Sequence, residues 1–322
     1  METRVAILPH CTESEKGKLC SGLKNDIKLI FYESEEELIE SKELDQINVV
    51  FGEPDINLIS QMKQLKWIQM TWAGANKYTC EKDFPSNLKL TSASGAFGKV
   101  ISEYVISGIL ALYRNLFFYK AQMKDGGWSW IEQEETLEGK RILIVGTGNI
   151  GQETARKLKS FDTYVIGISR THKASLPNFD ELYTIECIDD QLKDADVIVI
   201  SLPGTEKTRG MFNQERLKII KKSAIIVNVG RGFVLDTNAL TEQLQNGEIG
   251  GAVLDVVDPE PLPQNHPLRF MNQVILTPHI SGVSWGTNQY TRSRILDIFT
   301  ENLKLYTQRR ELKNIIDMEK GY

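Results

Sequence analysis

Short apolar runs separated by amphipathic stretches set the organisation of this chain. In the first hundred residues, segments 5–8, 27–31, 47–51, 67–70 and 88–90 have the length and composition of strands, with helical stretches such as 35–42 and 55–63 between them. Strands alternating with helices predict a parallel sheet with crossover connections. From Phe97 to Lys124 the period changes: Val100, Ile101, Tyr104, Val105, Gly108, Ile109, Leu112 and Leu116 recur at helical spacing up to Asp125-Gly126-Gly127. One long helix is predicted there. A second series of strands follows at 141–145, 164–168, 197–201, 224–228, 251–254 and 274–277. These runs are apolar throughout, as expected of strands covered on both faces. After Ser284 helical spacing returns through Ile295, Ile298, Phe299 and Leu303.

The expected architecture is α/β in two lobes. If the last helix returns to the first lobe, residues 1–97 and 287–322 form one domain and 98–286 an inserted second. Two crossings would then act as a hinge with a cleft beneath it. A chain of 322 residues suits two such lobes, and its 41% hydrophobic and 25% charged composition is that of an ordinary globular protein.

A net charge of −5 and the lack of a Lys/Arg stripe interleaved with aromatics argue against nucleic acid as a partner. No apolar run approaches the ~18 residues of a membrane span, and the apolar stretch near the N-terminus is too short for a signal peptide, so a cytoplasmic protein without a membrane partner is expected. Cys11, Cys20, Cys80 and Cys187 are scattered and read as free thiols; no metal site is expected.

Candidate chemistry begins where strand 142–145 runs into Gly146-Thr147-Gly148-Asn149-Ile150-Gly151 and then a helix. In such a turn the first glycine permits the bend, the second admits a pyrophosphate to the backbone and the third lets helix and strand pack closely. The phosphates then sit at the positive helix end. With a second strand at the right distance, the pattern predicts dinucleotide binding. An NAD site normally ends that second strand with an acidic residue on the ribose hydroxyls. This chain instead reads Ser169-Arg170-Thr171-His172-Lys173. Arg170, helped by the hydroxyls of Ser169 and Thr171, suits a 2′-phosphate, so NADP(H) is the expected cofactor, with NAD(H) as the second option.

Three isolated polar residues lie just beyond apolar runs. Arg231, flanked by Gly230 and Gly232, can hold a carboxylate in two parallel hydrogen bonds. His279 sits between Leu276-Thr277-Pro278 and Ile280-Ser281-Gly282, where an imidazole can exchange a proton with a carbonyl oxygen. Glu260 lies between two prolines and can orient such an imidazole. On chemistry alone Asp258 competes for that role, and a lone histidine is more often structural.

The order Arg231, Glu260, His279, set in Val-Asn-Val-Gly-Arg-Gly, Leu-Asp-Val-x-x-x-Glu-Pro-Leu-Pro and Leu-Thr-Pro-His-Ile-Ser-Gly, resembles the D-isomer-specific 2-hydroxyacid dehydrogenase family over nearly the whole chain. The resemblance implies a Rossmann-type doubly wound sheet inserted into a smaller flavodoxin-like substrate lobe. It also implies reduction of a 2-oxoacid to a D-2-hydroxyacid, with Arg231 binding substrate, His279 as acid/base and Glu260, over Asp258, as its partner. Leu202, Pro203, Thr208, Asn228 and Val229 would line the cofactor, and Asp255 would orient the nicotinamide carboxamide. Trp72-Ala73-Gly74 resembles the family's substrate loop, with the amides of Ala73 and Gly74 facing the substrate carboxylate.

Residues 169–171 resemble the NADP-using branch that includes glyoxylate/hydroxypyruvate reductases. Formate-type members carry an amide where Glu260 stands. Tyr104 occupies a position where many members have His, which reads as variation away from the chemistry. A homodimer built on the helix near 98–125 is implied, and Trp72, Phe97, Trp128, Trp130 and Trp285 are candidates to shape the pocket. A nucleotide-sensing, corepressor-like scaffold is the competing reading.

Overall fold

The computed structural model describes all residues except 1, 22–25, 82, 133 and 283–287. It divides into two compact units, Met1–Ala96 with Val283–Tyr322, and Phe97–Gly282.

In the first unit, strands β1 (Thr3–Ile7), β2 (Ile27–Phe31), β3 (Val49–Phe51), β4 (Trp67–Gln69) and β5 (Lys89–Thr91) form a parallel sheet of order β2-β1-β3-β4-β5. That is the flavodoxin-like order, as expected when each crossover carries a helix. Val5, Ala6, Ile7, Val49, Val50, Phe51, Trp67 and Ile68 are all fully buried at its centre. The helix Gln289–Thr307 closes one face: Phe299 stacks on Phe51 with ring centroids 4.3 Å apart, and Asn302 Nδ2 donates to the buried Gln69 Oε1 at 2.9 Å. The apolar spacing of Ile295, Phe299 and Leu303 therefore serves the first sheet, although this helix follows the second in sequence.

The second unit holds β6 (Arg141–Val145), β7 (Tyr164–Ser169), β8 (Glu181–Thr184), β9 (Val197–Ile200), β10 (Ile225–Asn228), β11 (Gly251–Leu254) and β12 (Val274–Leu276). All run parallel in the order β12-β11-β10-β9-β6-β7-β8. The chain winds outward from β6 to β8, then returns beside β6 and winds the other way. In such a doubly wound sheet the strands' carboxyl ends open on one edge, and the reversal between β6 and β9 leaves a crevice there.

Two elements depart from the sequence expectation. The single helix expected over 97–124 is two, Gly98–Tyr113 and Leu116–Lys124, bent by 63°. The break falls at Asn115, whose φ of 50° is left-handed, a conformation that asparagine tolerates because its side chain can hydrogen-bond locally. The second departure is β8, for which no strand is expected. Its sequence Glu-Leu-Tyr-Thr lacks an apolar run because it lies at the sheet edge, each residue half-buried.

Candidate active site

All the chemistry-bearing segments of the second unit follow β-strand carboxyl ends: the glycine turn after β6, Arg170 after β7, Leu202 and Pro203 after β9, Arg231 after β10, Asp255 and Glu260 after β11, and His279 after β12. Residues scattered over 130 positions of sequence thus reach one edge because the strands are parallel.

The glycine turn is shaped by backbone packing. Gly146 has φ 112°, and a Cβ there would stand 2.7 Å from the Ser201 carbonyl; one on Gly151 would stand 2.1 Å from the Gly146 carbonyl. Gly148 differs, since its missing side chain faces open space in front of the helix Asn149–Leu158, whose N-cap it forms without any side-chain cap. The first-turn amides thus face a cradle that a larger residue would fill, and a pyrophosphate fits it. Lys173 returns from beyond β7 to this turn, donating from Nζ to Thr147 Oγ1 at 2.8 Å and to Thr147 O at 3.3 Å. It adds a positive charge to the cradle that the sequence reading does not include among the site residues. Ser169 Oγ donates to Thr171 O at 2.8 Å, folding 169–171 into a tight turn with Arg170 exposed at its tip.

Thr208 and Asn228 serve as braces. Thr208 Oγ1 accepts from Thr205 N–H at 3.0 Å and donates to Pro203 O at 2.8 Å, supporting the loop after β9. Asn228, fully buried, accepts from Gly230 N–H and donates to Arg231 O, both at 3.1 Å, which curls the chain around Arg231. A Cβ on Gly232 would lie 1.8 Å from Val257 O, so this glycine is required by close backbone approach. The Arg231 guanidinium donates to Gly230 O at 2.8 Å. Burial lowers its proton affinity from the ordinary arginine value, and the Glu260 charge opposes that.

His279 Nδ1 lies 2.8 Å from Glu260 Oε1, so Glu260 is the acid of its loop that meets the imidazole. The His279 backbone is left-handed, with φ 55°. Such a residue costs on the order of 1 kcal/mol and needs support from its surroundings. Asp255 supplies it. Its carbonyl accepts from His279 N–H at 2.9 Å, Oδ1 from Ile280 N–H at 2.7 Å and Oδ2 from Ser281 N–H at 2.9 Å. Thr277 Oγ1 also donates to Oδ1 at 2.7 Å, and Tyr104 Oη lies 2.6 Å from Thr277 Oγ1. Tyr104 is therefore not remote from the chemistry, as its place in the sequence suggests; the helix Gly98–Tyr113 carries it to the histidine loop.

In the first unit Trp72, Ala73 and Gly74 form the bend after β4. Glu53 holds that bend: its Oε1 accepts from Thr71 N–H at 2.5 Å and Trp72 N–H at 3.2 Å, and Thr71 Oγ1 lies 3.0 and 3.1 Å from its two oxygens. Burial holds the Glu53 carboxyl above the usual carboxylate range, against those hydrogen bonds. Of the candidate pocket aromatics, Phe97 is buried, and Trp72, Trp128 and Trp130 are exposed. Trp285 lies outside the described residues.

A doubly wound sheet with an anion cradle and an Arg/Glu/His set on its carboxyl edge defines a dinucleotide-dependent oxidoreductase. Residues 106–281 match the model of the "D-isomer specific 2-hydroxyacid dehydrogenase, NAD binding domain". A glyoxylate reductase of Aeropyrum pernix is 31% identical over 274 residues, covering 82% of this chain and 80% of its own. A chloroplastic/mitochondrial formate dehydrogenase of Arabidopsis thaliana is 34% identical over 230 residues, 70% of this chain and 60% of its own. The NADPH-dependent glyoxylate/hydroxypyruvate reductase of Sinorhizobium meliloti, solved with NADP and sulfate, superposes with a TM-score of 0.83 at 24% identity, each chain covered in full. The chain belongs to the D-isomer-specific 2-hydroxyacid dehydrogenase family and is an NAD(P)-dependent oxidoreductase of the 2-oxoacid/2-hydroxyacid type.

Proposed function

We propose that the protein reduces a small 2-oxoacid to the D-2-hydroxyacid with NADPH, and that His279 is the acid/base. The observation that carries this reading is the 2.8 Å contact between His279 Nδ1 and Glu260 Oε1, near a half-buried arginine that Glu260 also influences. With Nδ1 engaged, Nε2 is the ring nitrogen that gives its proton to the carbonyl oxygen of the substrate. The nicotinamide, when bound, supplies the hydride to the keto carbon. Arg231 orients the carboxylate and carbonyl in two parallel hydrogen bonds. In the first unit, the amides of Ala73 and Gly74 are proposed as substrate-binding donors. Glu260 stabilises the charged imidazole before transfer. A carboxylate at this position favours the hydroxyacid reaction over the formate-type one.

Arg170 supports NADPH over NADH, and Lys173 at the glycine turn adds a second cation at the phosphate end of the site. The exposed apolar residues Leu116, Phe117, Phe118 and Met123 support a homodimer built on the helix pair. The deciding measurement is NADPH oxidation at 340 nm with glyoxylate, hydroxypyruvate, pyruvate and bulkier 2-oxoacids. Turnover of at least one is expected. Tight NADPH binding with no oxidation across the panel would favour the corepressor-like scaffold instead.

A further inference from the structure

The Asp255 carboxylate has acceptor capacity only, so the proton between it and Thr277 Oγ1 belongs to the threonine. A threonine hydroxyl has a single proton. The 2.6 Å contact between Tyr104 Oη and Thr277 Oγ1 must then run the other way, with the phenol donating. The direction of the whole chain is thereby determined: Tyr104 to Thr277 to Asp255, whose two oxygens also receive Ile280 and Ser281 N–H. The phenol can play this part throughout the working pH range, because burial pushes Tyr104 up to about 12 and keeps it protonated.

We infer that Tyr104 and Thr277 are positioning residues for catalysis, holding Asp255 so that it clamps the left-handed turn on which His279 is carried. The geometry supports a specific division of labour. Asp255 is only 2% exposed, and its carboxylate accepts three donors from this chain, Thr277 Oγ1 and two amides. A carboxylate offers roughly four lone-pair positions. At most about one remains for a cofactor, so supporting the histidine loop is its main structural task. The Tyr104 link anchors this clamp to the helix Gly98–Tyr113, which packs so closely on β11 that a Cβ on Gly108 would stand 2.6 Å from Val253 Cγ1. β11 is the strand that Asp255 directly follows. The clamp is thus attached at both ends to one rigid pair, the helix and the strand, and the His279 turn hangs from it.

This inference rests on the proposed role of His279, and its test has a readout that does not. Tyr104→Phe removes one hydroxyl, Thr277→Val removes the central link, and Thr277→Ser keeps the relay. In the cofactor-bound enzyme, Tyr104→Phe and Thr277→Val should lower kcat by about 5- to 50-fold, with the NADPH dissociation constant and melting temperature changed little. Thr277→Ser should stay within about twofold of wild type. Imidazole nitrogen NMR provides the independent readout, since the protein has only four histidines. The His279 Nδ1 signal, set by its Glu260 contact, should broaden or move in Tyr104→Phe and Thr277→Val and persist in Thr277→Ser. An unchanged His279 signal together with an unchanged kcat in Tyr104→Phe overturns the inference, as does a loss of kcat matched by equal losses in cofactor affinity and thermal stability. If Thr277→Val does not fold, the Tyr104→Phe comparison decides alone. If wild type reduces no 2-oxoacid, the functional reading fails while the NMR comparison still decides the clamp.

Discussion

At the scale of single residues, the site depends on a carboxylate set against an imidazole. Glu260 and His279 keep side-chain exposures of 41% and 48%, so their coupling is moderated by solvent. Replacing Glu260 with Gln removes the charge that favours imidazolium while leaving an acceptor for Nδ1. Turnover in 2-oxoacid reduction should therefore fall by about tenfold or more, with NADPH affinity little changed. A steady-state kcat equal to that of wild type would remove Glu260 from its proposed role. Arg170 is the other residue whose charge selects chemistry. Arg170→Asp should raise the KM for NADPH by at least tenfold and improve use of NADH, because a carboxylate repels a 2′-phosphate and suits ribose hydroxyls. Steady-state kinetics with both cofactors checks this, and an unchanged preference would discard Arg170 as the selector.

Between elements, the first unit shows how one ion pair ties chain ends together. Arg292, in the helix Gln289–Thr307, places Nε 2.7 Å and Nη2 2.5 Å from the two Glu15 oxygens and also donates to His10 O at 3.0 Å. Glu15 simultaneously closes the capping box with Thr12 at the start of the helix Glu13–Cys20. The guanidinium fork is the main reason the Glu15 carboxyl falls from the usual 4.5 to about 2. A carboxyl depressed in the folded state adds stability above its unfolded value, and that stability is lost as pH falls through the folded value. Arg292→Met should accordingly be less stable than wild type by on the order of 2 kcal/mol at pH 7, after allowing for solvent screening at this partly exposed site. The difference should shrink steadily from about pH 4.5 towards pH 2. Urea titrations at pH 7, 5, 4 and 3 test it; a gap independent of pH would mean that the lost packing of Arg292, and not the ion pair, is responsible.

For the molecule as a whole, legibility followed burial. The strands covered on both faces announced themselves as apolar runs: Ile225–Asn228 and Val197–Ile200 are buried from end to end. The edge strand Glu181–Thr184, half-buried and mixed in composition, carried no such signal, and the bend at Asn115 was hidden inside an uninterrupted helical period. Among the site residues, Arg231, Glu260 and His279 were visible because each follows an apolar strand within a distinctive motif. Tyr104 was not, because its partner Thr277 is 173 residues away. Sequence by itself determined the periodicities, the glycine turn and the polar residues at strand ends, since these depend on local backbone geometry and on which positions must avoid water. Tertiary structure set Glu260 against His279 as the family motif implies, and it alone decided that Lys173 folds back on Thr147, that Tyr104 reaches Thr277, and that Asp255 spends its lone pairs on the histidine turn. Those are choices among partners of similar chemistry, and hydrogen-bond distance, which depends on how distant segments pack, is what separates them.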